Sequence, residues 1–167
     1  MSKKKEYSEY ESLSRTTKSS LKEFNEHEAR GWTIDRLQQI EYRINEKIIE
    51  FFKPKKIEPF KKIVLNSSVL DIGSKLKILS NIGSVDSKTI EKIRKLSSIR
   101  NGFAHAVISQ NVTLFIKTHE DGKQETVDVK EHSIIEVMNS QGKLISKNAM
   151  EYLTEFLELN NEIRNEI

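Results

Sequence analysis

The chain contains no cysteine, which excludes a disulfide framework, a thiolate metal site and a thiol nucleophile. Glycines are few and occur singly (Gly73, Gly83, Gly102, Gly122 and Gly142 among them), which excludes a glycine-rich phosphate loop. No stretch approaches the roughly 20 apolar residues needed to cross a bilayer. The basic start Met1-Ser2-Lys3-Lys4-Lys5 also lacks the apolar run that a secretory signal requires. The cytoplasm is therefore the expected location, and no membrane partner is expected. Charge of one sign is lacking too. The 28 basic and 25 acidic residues leave a formal +3, too balanced to imply nucleic-acid binding by itself. The densest basic cluster, Lys53-Pro54-Lys55-Lys56 with Lys61-Lys62, reads either as a solvated loop or as a local RNA contact.

What is present is a series of amphipathic segments in a chain of single-domain length, 167 residues. Residues 1–16 are rich in Lys, Ser, Glu and Tyr without a period and predict a flexible tail, leaving 17–167 as one domain. Leu21 and Phe24 predict a short helix ending near Gly31. A longer one starts at Thr33 and carries Ile34, Leu37, Ile40 or Glu41, Ile44, Ile48 and Phe51 at three- and four-residue steps. Pro54 ends it by Lys53. Pro59 suits the first turn of a short helix with Phe60, Ile63 and Val64. Ser68 is placed to cap a helix bearing Val69, Ile72, Leu76 and Leu79 and ending at Gly83. Asp86 or Ser87 caps the next, with Ile90, Ile93, Leu96, Ile99 and Phe103. After Gln110 the period becomes two. Val112, Leu114 and Ile116 lead through a two-residue Asp121-Gly122 turn to Val127 and Val129, so that Glu120 faces Lys123 and Ile116 faces Val127. A second hairpin joins Ile134–Met138 to Lys143–Ile145, and Ser146 is placed to cap a last helix with Met150, Leu153, Phe156, Leu157 and Ile163. The expected fold is mainly α: an antiparallel helical bundle with a small antiparallel β-hairpin region at about 111–145 before a C-terminal helix.

The chemistry concentrates in Ile99-Arg100-Asn101-Gly102-Phe103-Ala104-His105-Ala106. Arginine is a permanently charged, bidentate partner for phosphate, and histidine exchanges protons near neutral pH without special tuning. The two together are the minimum kit for breaking a phosphodiester without a metal. On a helix, Ile93, Leu96, Ile99, Phe103 and Val107 share an apolar side, and Asn101 and His105 share a polar side with Arg94 and Ser98. Arg100 and His105 then lie about 140° apart around the axis. Either the helix starts or kinks near Gly102, or a site takes groups from two subunits. A purely structural role reads as well from the residues alone: Arg100 bonded to an acidic partner, Asn101 orienting a turn, His105 solvated. His27, His119 and His132 show no metal-ligand spacing, so neither metal nor cofactor is expected.

Arg100-Asn101-Gly102-Phe103-Ala104-His105 resembles the R-x4-6-H motif of the HEPN superfamily. The wider pattern, from Gly31 through Leu76-Lys77-Ile78-Leu79-Ser80-Asn81-Ile82-Gly83 to His105, resembles the mannitol operon repressor family within it, over roughly residues 28–108. The resemblance implies a HEPN-like bundle, a homodimer, and a metal-independent endoribonuclease of toxin or defence type. In it Arg100, His105 and Asn101 would be catalytic, Arg94 and Ser98 would hold RNA, and an antitoxin or regulatory protein would be the partner. The other implied role is a non-catalytic dimeric regulator or scaffold.

Overall fold

Asn25 starts the first helix, its side-chain oxygen accepting from the backbone N–H groups of His27 at 2.9 Å and Glu28 at 3.2 Å. In a computed structural model of the chain, residues 25–119, 122–139 and 141–167 are described. The element order is α1 (Glu26–Phe52), a one-turn α2 (Ile57–Pro59) running into a π-helical turn (Phe60–Val64), α3 (Ile72–Ile82), α4 (Ser87–His105), β1 (Ile108–Thr118), β2 (Gln124–Met138), β3 (Leu144–Asn148) and α5 (Ala149–Glu166). The protein is thus mainly helical, with a small three-stranded antiparallel sheet of order β1-β2-β3 and a C-terminal helix. Two compact units divide the described residues: Arg30–Arg100 with Phe156–Ile167, and Asn101–Glu155 with residues 25–29.

α1 is a single helix of 27 residues, and Gly31 does not end it. An interior glycine costs a helix about 1 kcal/mol, too little to break one whose next turns bury Thr33, Leu37, Ile40, Ile44 and Ile48. The expected tail over 1–16 and the short helix of Leu21 and Phe24 lie outside the described residues. Phe51 is expected to continue the core stripe, yet it is 55 % exposed.

Asp71, not Ser68, caps α3, accepting from Ser74 N at 2.7 Å. Asn66 captures Ser68 instead: its side chain accepts from Ser68 N, and its carbonyl accepts from Val69 N and Leu70 N, so 66–70 is a turn. Val69 therefore leaves the expected stripe and is exposed. Gly83 ends α3 in the left-handed region at φ 66°, as the sequence predicts.

In the sheet, Leu114 faces Val129 as expected, but Ile116 faces Thr126. One extra residue, Val127, bulges from β2 between the Phe115 and Ile116 pairings. The His119 N–H donates to the Lys123 carbonyl at 2.9 Å. Gly122 stands at φ 78°, a left-handed position that glycine takes without strain. Glu120 and Asp121 lie outside the described residues, and with them the expected facing of Glu120 and Lys123. The second hairpin repeats this construction, with Asn139 N donating to Lys143 O and Gly142 at φ 74°. Pairing there continues to Ile134↔Asn148, which places Ser146 opposite Glu136. Asn148 instead caps α5, accepting from Met150 N at 3.0 Å and Glu151 N at 3.1 Å. His132 sits within β2 opposite Asn111.

Candidate functional site

α4 carries every residue of the motif, so its start, its packing and its end decide what the motif can do. Asp86 caps it: Oδ1 accepts from Lys88 N at 2.9 Å and Thr89 N at 3.0 Å, and Oδ2 accepts from the Thr89 hydroxyl at 2.6 Å. The Thr89 hydroxyl, with its backbone N–H behind it, holds the Asp86 carboxyl below the usual carboxylate range. Ile90, Ile93, Leu96, Ile99 and Phe103 are buried, as the periodicity predicts. Val107 does not join them, because the helix ends at His105 and Val107, in the connection to β1, is 71 % exposed.

The helix is unbroken through Gly102, whose carbonyl accepts from Ala106 N at 2.8 Å. No break in α4 lets Arg100 and His105 converge, and along one helix the two stand about 140° apart. Gly102 serves packing instead. A Cβ at this position would lie 2.9 Å from Val137 Cγ1 and 3.1 Å from Tyr152 Cε1. Phe103, one residue on, stacks on the Tyr152 ring with centroids 5.7 Å apart. The glycine admits β2 and α5 against the last turn of α4.

Arg94, Ser98, Asn101 and His105 are all exposed. Their spacing of four, three and four residues keeps them within about 40° of one line along the helix, over about 16 Å of its length. The expected polar stripe is thus present, with His105 in the last turn. Arg100 stands apart from it, half-buried, its Nε withdrawn from solvent. Among the described residues no group of three or more His, Cys, Asp or Glu side chains is placed to hold a metal ion.

Three polar features were missed by the sequence reading. Lys75 is fully buried and donates to Glu41 Oε1 at 2.5 Å, an oxygen that also accepts from the Ser67 hydroxyl at 2.6 Å. The signal was present: Lys75 falls between Ile72 and Leu79 on the apolar stripe of α3, where a solvated lysine has no place. Arg43 Nη1 donates to the carbonyls of Arg164 at 2.7 Å and Ile167 at 3.2 Å. Near the end of α5, Glu166 accepts from Lys92 at 2.6 Å, its other oxygen lies 2.7 Å from the Thr89 hydroxyl, whose one proton it shares with Asp86, and Glu162 lies 2.9 Å from the Lys92 ammonium. Lys92 is pushed up to about 12, first by Glu166 and then by Glu162. Nothing in the spacing of Thr89, Lys92 and Glu166 announces these pairings, since they join positions 74 to 77 residues apart.

No family model matches the chain, and no curated protein or solved structure matches it.

Proposed function

We propose that the protein is a metal-independent endoribonuclease whose helices form a HEPN-like bundle. The observation that carries this reading is the exposed stripe Arg94, Ser98, Asn101 and His105 on an uninterrupted α4 that also bears Arg100. The 2′-hydroxyl oxygen of RNA attacks the adjacent phosphorus, the bond from phosphorus to the 5′-oxygen breaks, and a cyclic phosphate and a 5′-hydroxyl result. His105 removes the 2′-hydroxyl proton or supplies one to the leaving oxygen. Arg100 stabilises the charge that builds on the phosphoryl oxygens. Asn101, one turn before His105, orients the imidazole, and Arg94 and Ser98 hold a neighbouring phosphate. Because Arg100 and His105 point about 140° apart on one helix, the reading takes the two groups from two copies of the chain in a symmetric dimer.

The burial of the Arg100 Nε favours a second reading, a non-catalytic dimeric regulator or scaffold resembling the mannitol operon repressor family. One experiment separates them: cleavage of single-stranded RNA in excess chelator, with Arg100→Ala and His105→Ala alongside. Loss of activity by about 10²–10⁴-fold in His105→Ala and about 10²–10³-fold in Arg100→Ala is expected, with partial recovery when the two variants are mixed. Absence of cleavage by the unaltered protein, with helicity or dimer lost in both variants, leaves the scaffold.

A further inference from the structure

The apolar stripe of α1 (Leu37, Ile40, Ile44 and Ile48) is buried, and the next position on it is Phe51. There the burial stops. Phe51 is 55 % exposed and Phe52 54 %, and the following turn adds Ile57 at 53 %, Ile63 at 65 % and Val64 at 41 %. Between them stand lysines. Residues 51–64 hold five of the 28 basic residues and one of the 25 acidic ones, so the rest of the chain, with 23 basic and 24 acidic, is net negative. Lys61 pairs with Glu46 at 2.6 Å and Lys62 lies 3.6 Å from Glu58. Lys53, Lys55 and Lys56 are exposed and have no carboxylate partner among the described residues. Pro54 and the left-handed Lys53, at φ 45°, turn the chain sharply, so the segment forms a folded tip at the end of α1.

We infer that this tip, Phe51 to Val64, is a docking surface for an anionic lipid bilayer. Apolar side chains fringed by unpaired ammonium groups match the boundary between headgroups and acyl chains, where phosphates meet the lysines and the rings and branched chains leave water. A second copy fits worse, because a two-fold contact through this tip sets one lysine-rich patch against another. RNA also fits worse. Base stacking needs open ring faces, whereas the Phe51 and Phe52 rings meet edge to face at 5.1 Å, and Lys61 covers the Tyr42 ring at 4.2 Å. Ile57, Ile63 and Val64 contribute nothing to stacking or to phosphate binding. Docking of this kind needs no spanning segment, and among the described residues no helix is long and apolar enough to cross a membrane. The inference is independent of the ribonuclease reading.

The test is sedimentation of the full chain with vesicles of equal parts phosphatidylglycerol and phosphatidylcholine, beside vesicles of phosphatidylcholine alone and beside polyuridylate. Binding to the anionic vesicles only is expected, weakening but persisting as salt rises. Neutralising Lys53, Lys55 and Lys56 together to Gln lowers the partition about hundredfold. The pair Phe51→Ser and Phe52→Ser lowers it at least about tenfold. All five positions are exposed, so both variants keep their helicity. No sedimentation with anionic vesicles, or sedimentation indifferent to both variants, overturns the inference. So does lysine-dependent binding of polyuridylate without vesicle binding, which makes the tip a nucleic-acid surface. So does a dimer that the phenylalanine pair dissolves without any vesicle effect, which makes it a contact between copies.

Discussion

Replacing Lys75 by Met removes the fully buried charge of an ion pair and keeps the length of the stem. The Nζ donates to Glu41 Oε1 at 2.5 Å across the α1–α3 packing, and the side chains of Lys75 and Glu41 are 0 % and 16 % exposed. Without the ammonium, the carboxylate keeps only the Ser67 hydroxyl, 2.6 Å from the same oxygen. Removing one partner of a buried ion pair costs about 3–5 kcal/mol. The residual exposure of Glu41 and its bond to Ser67 place Lys75→Met at the lower end, about 3 kcal/mol. For a chain of this length that lowers Tm by about 6–12 °C. Glu41→Leu, which strands the ammonium instead, costs a similar amount, about 3 kcal/mol. The double variant Lys75→Met with Glu41→Leu strands neither charge of the pair and returns to within about 1 kcal/mol of the unaltered protein. Urea titration of the four proteins, followed by circular dichroism, gives the cycle. A loss below about 1 kcal/mol in Lys75→Met, the level of an exposed pair, refutes the reasoning. So does a double variant that costs the sum of the two singles.

Two glycines inside helices respond in opposite directions. Gly31→Ala, with nothing within 4 Å of the new Cβ, stabilises by about 0.5–1 kcal/mol. Gly102→Ala drives a methyl to 2.9 Å from Val137 Cγ1, and overpacking of about 1–3 kcal/mol outweighs the same helical gain; calorimetric shifts of one sign for both contradict this account. The contacts at the end of α5 contribute to the pH dependence of stability. Glu166 is held below the ordinary 4.5, first by Lys92 and then by Thr89. Its contribution is therefore present above about pH 4.5 and fades as pH falls through the depressed folded value. Lys92 is raised from 10.5 to about 12, so its contribution is complete below 10.5 and fades as pH rises towards 12. Glu166→Gln flattens the acid limb of a Tm-versus-pH curve, and an unchanged limb in that variant contradicts the assignment.

The helical stripes were legible because each repeats within its own segment. Ile90, Ile93, Leu96, Ile99 and Phe103 on α4, and Met150, Leu153, Phe156, Leu157 and Ile163 on α5, are the buried residues that the 3.6-residue period marks. The turn residues Gly83, Gly122 and Gly142 and the stop before Pro54 were legible for the same reason, since each acts on its own backbone. The caps were less so. Asn66, Ser68 and Asp71 all qualify by type before α3, and only the hydrogen bonds of 66–70 assign Asp71 to the helix. For the site, the polar stripe of Arg94, Ser98, Asn101 and His105 followed from spacing alone, whereas Gly102 did not.

The sequence by itself determined the helical and strand character of the segments, where the turns fall and which face of α4 is polar, because these rest on residues within a few positions of one another. Tertiary structure alone decided the rest. Lys75 is a core residue because Glu41, 34 residues earlier, meets it on α1. Gly102 is a packing glycine because Val137 and Tyr152 come within reach of where a Cβ would stand, and α4 continues through it. Phe51 stands outside the core at 55 % exposure although it continues the apolar stripe, a fact that no period within α1 records.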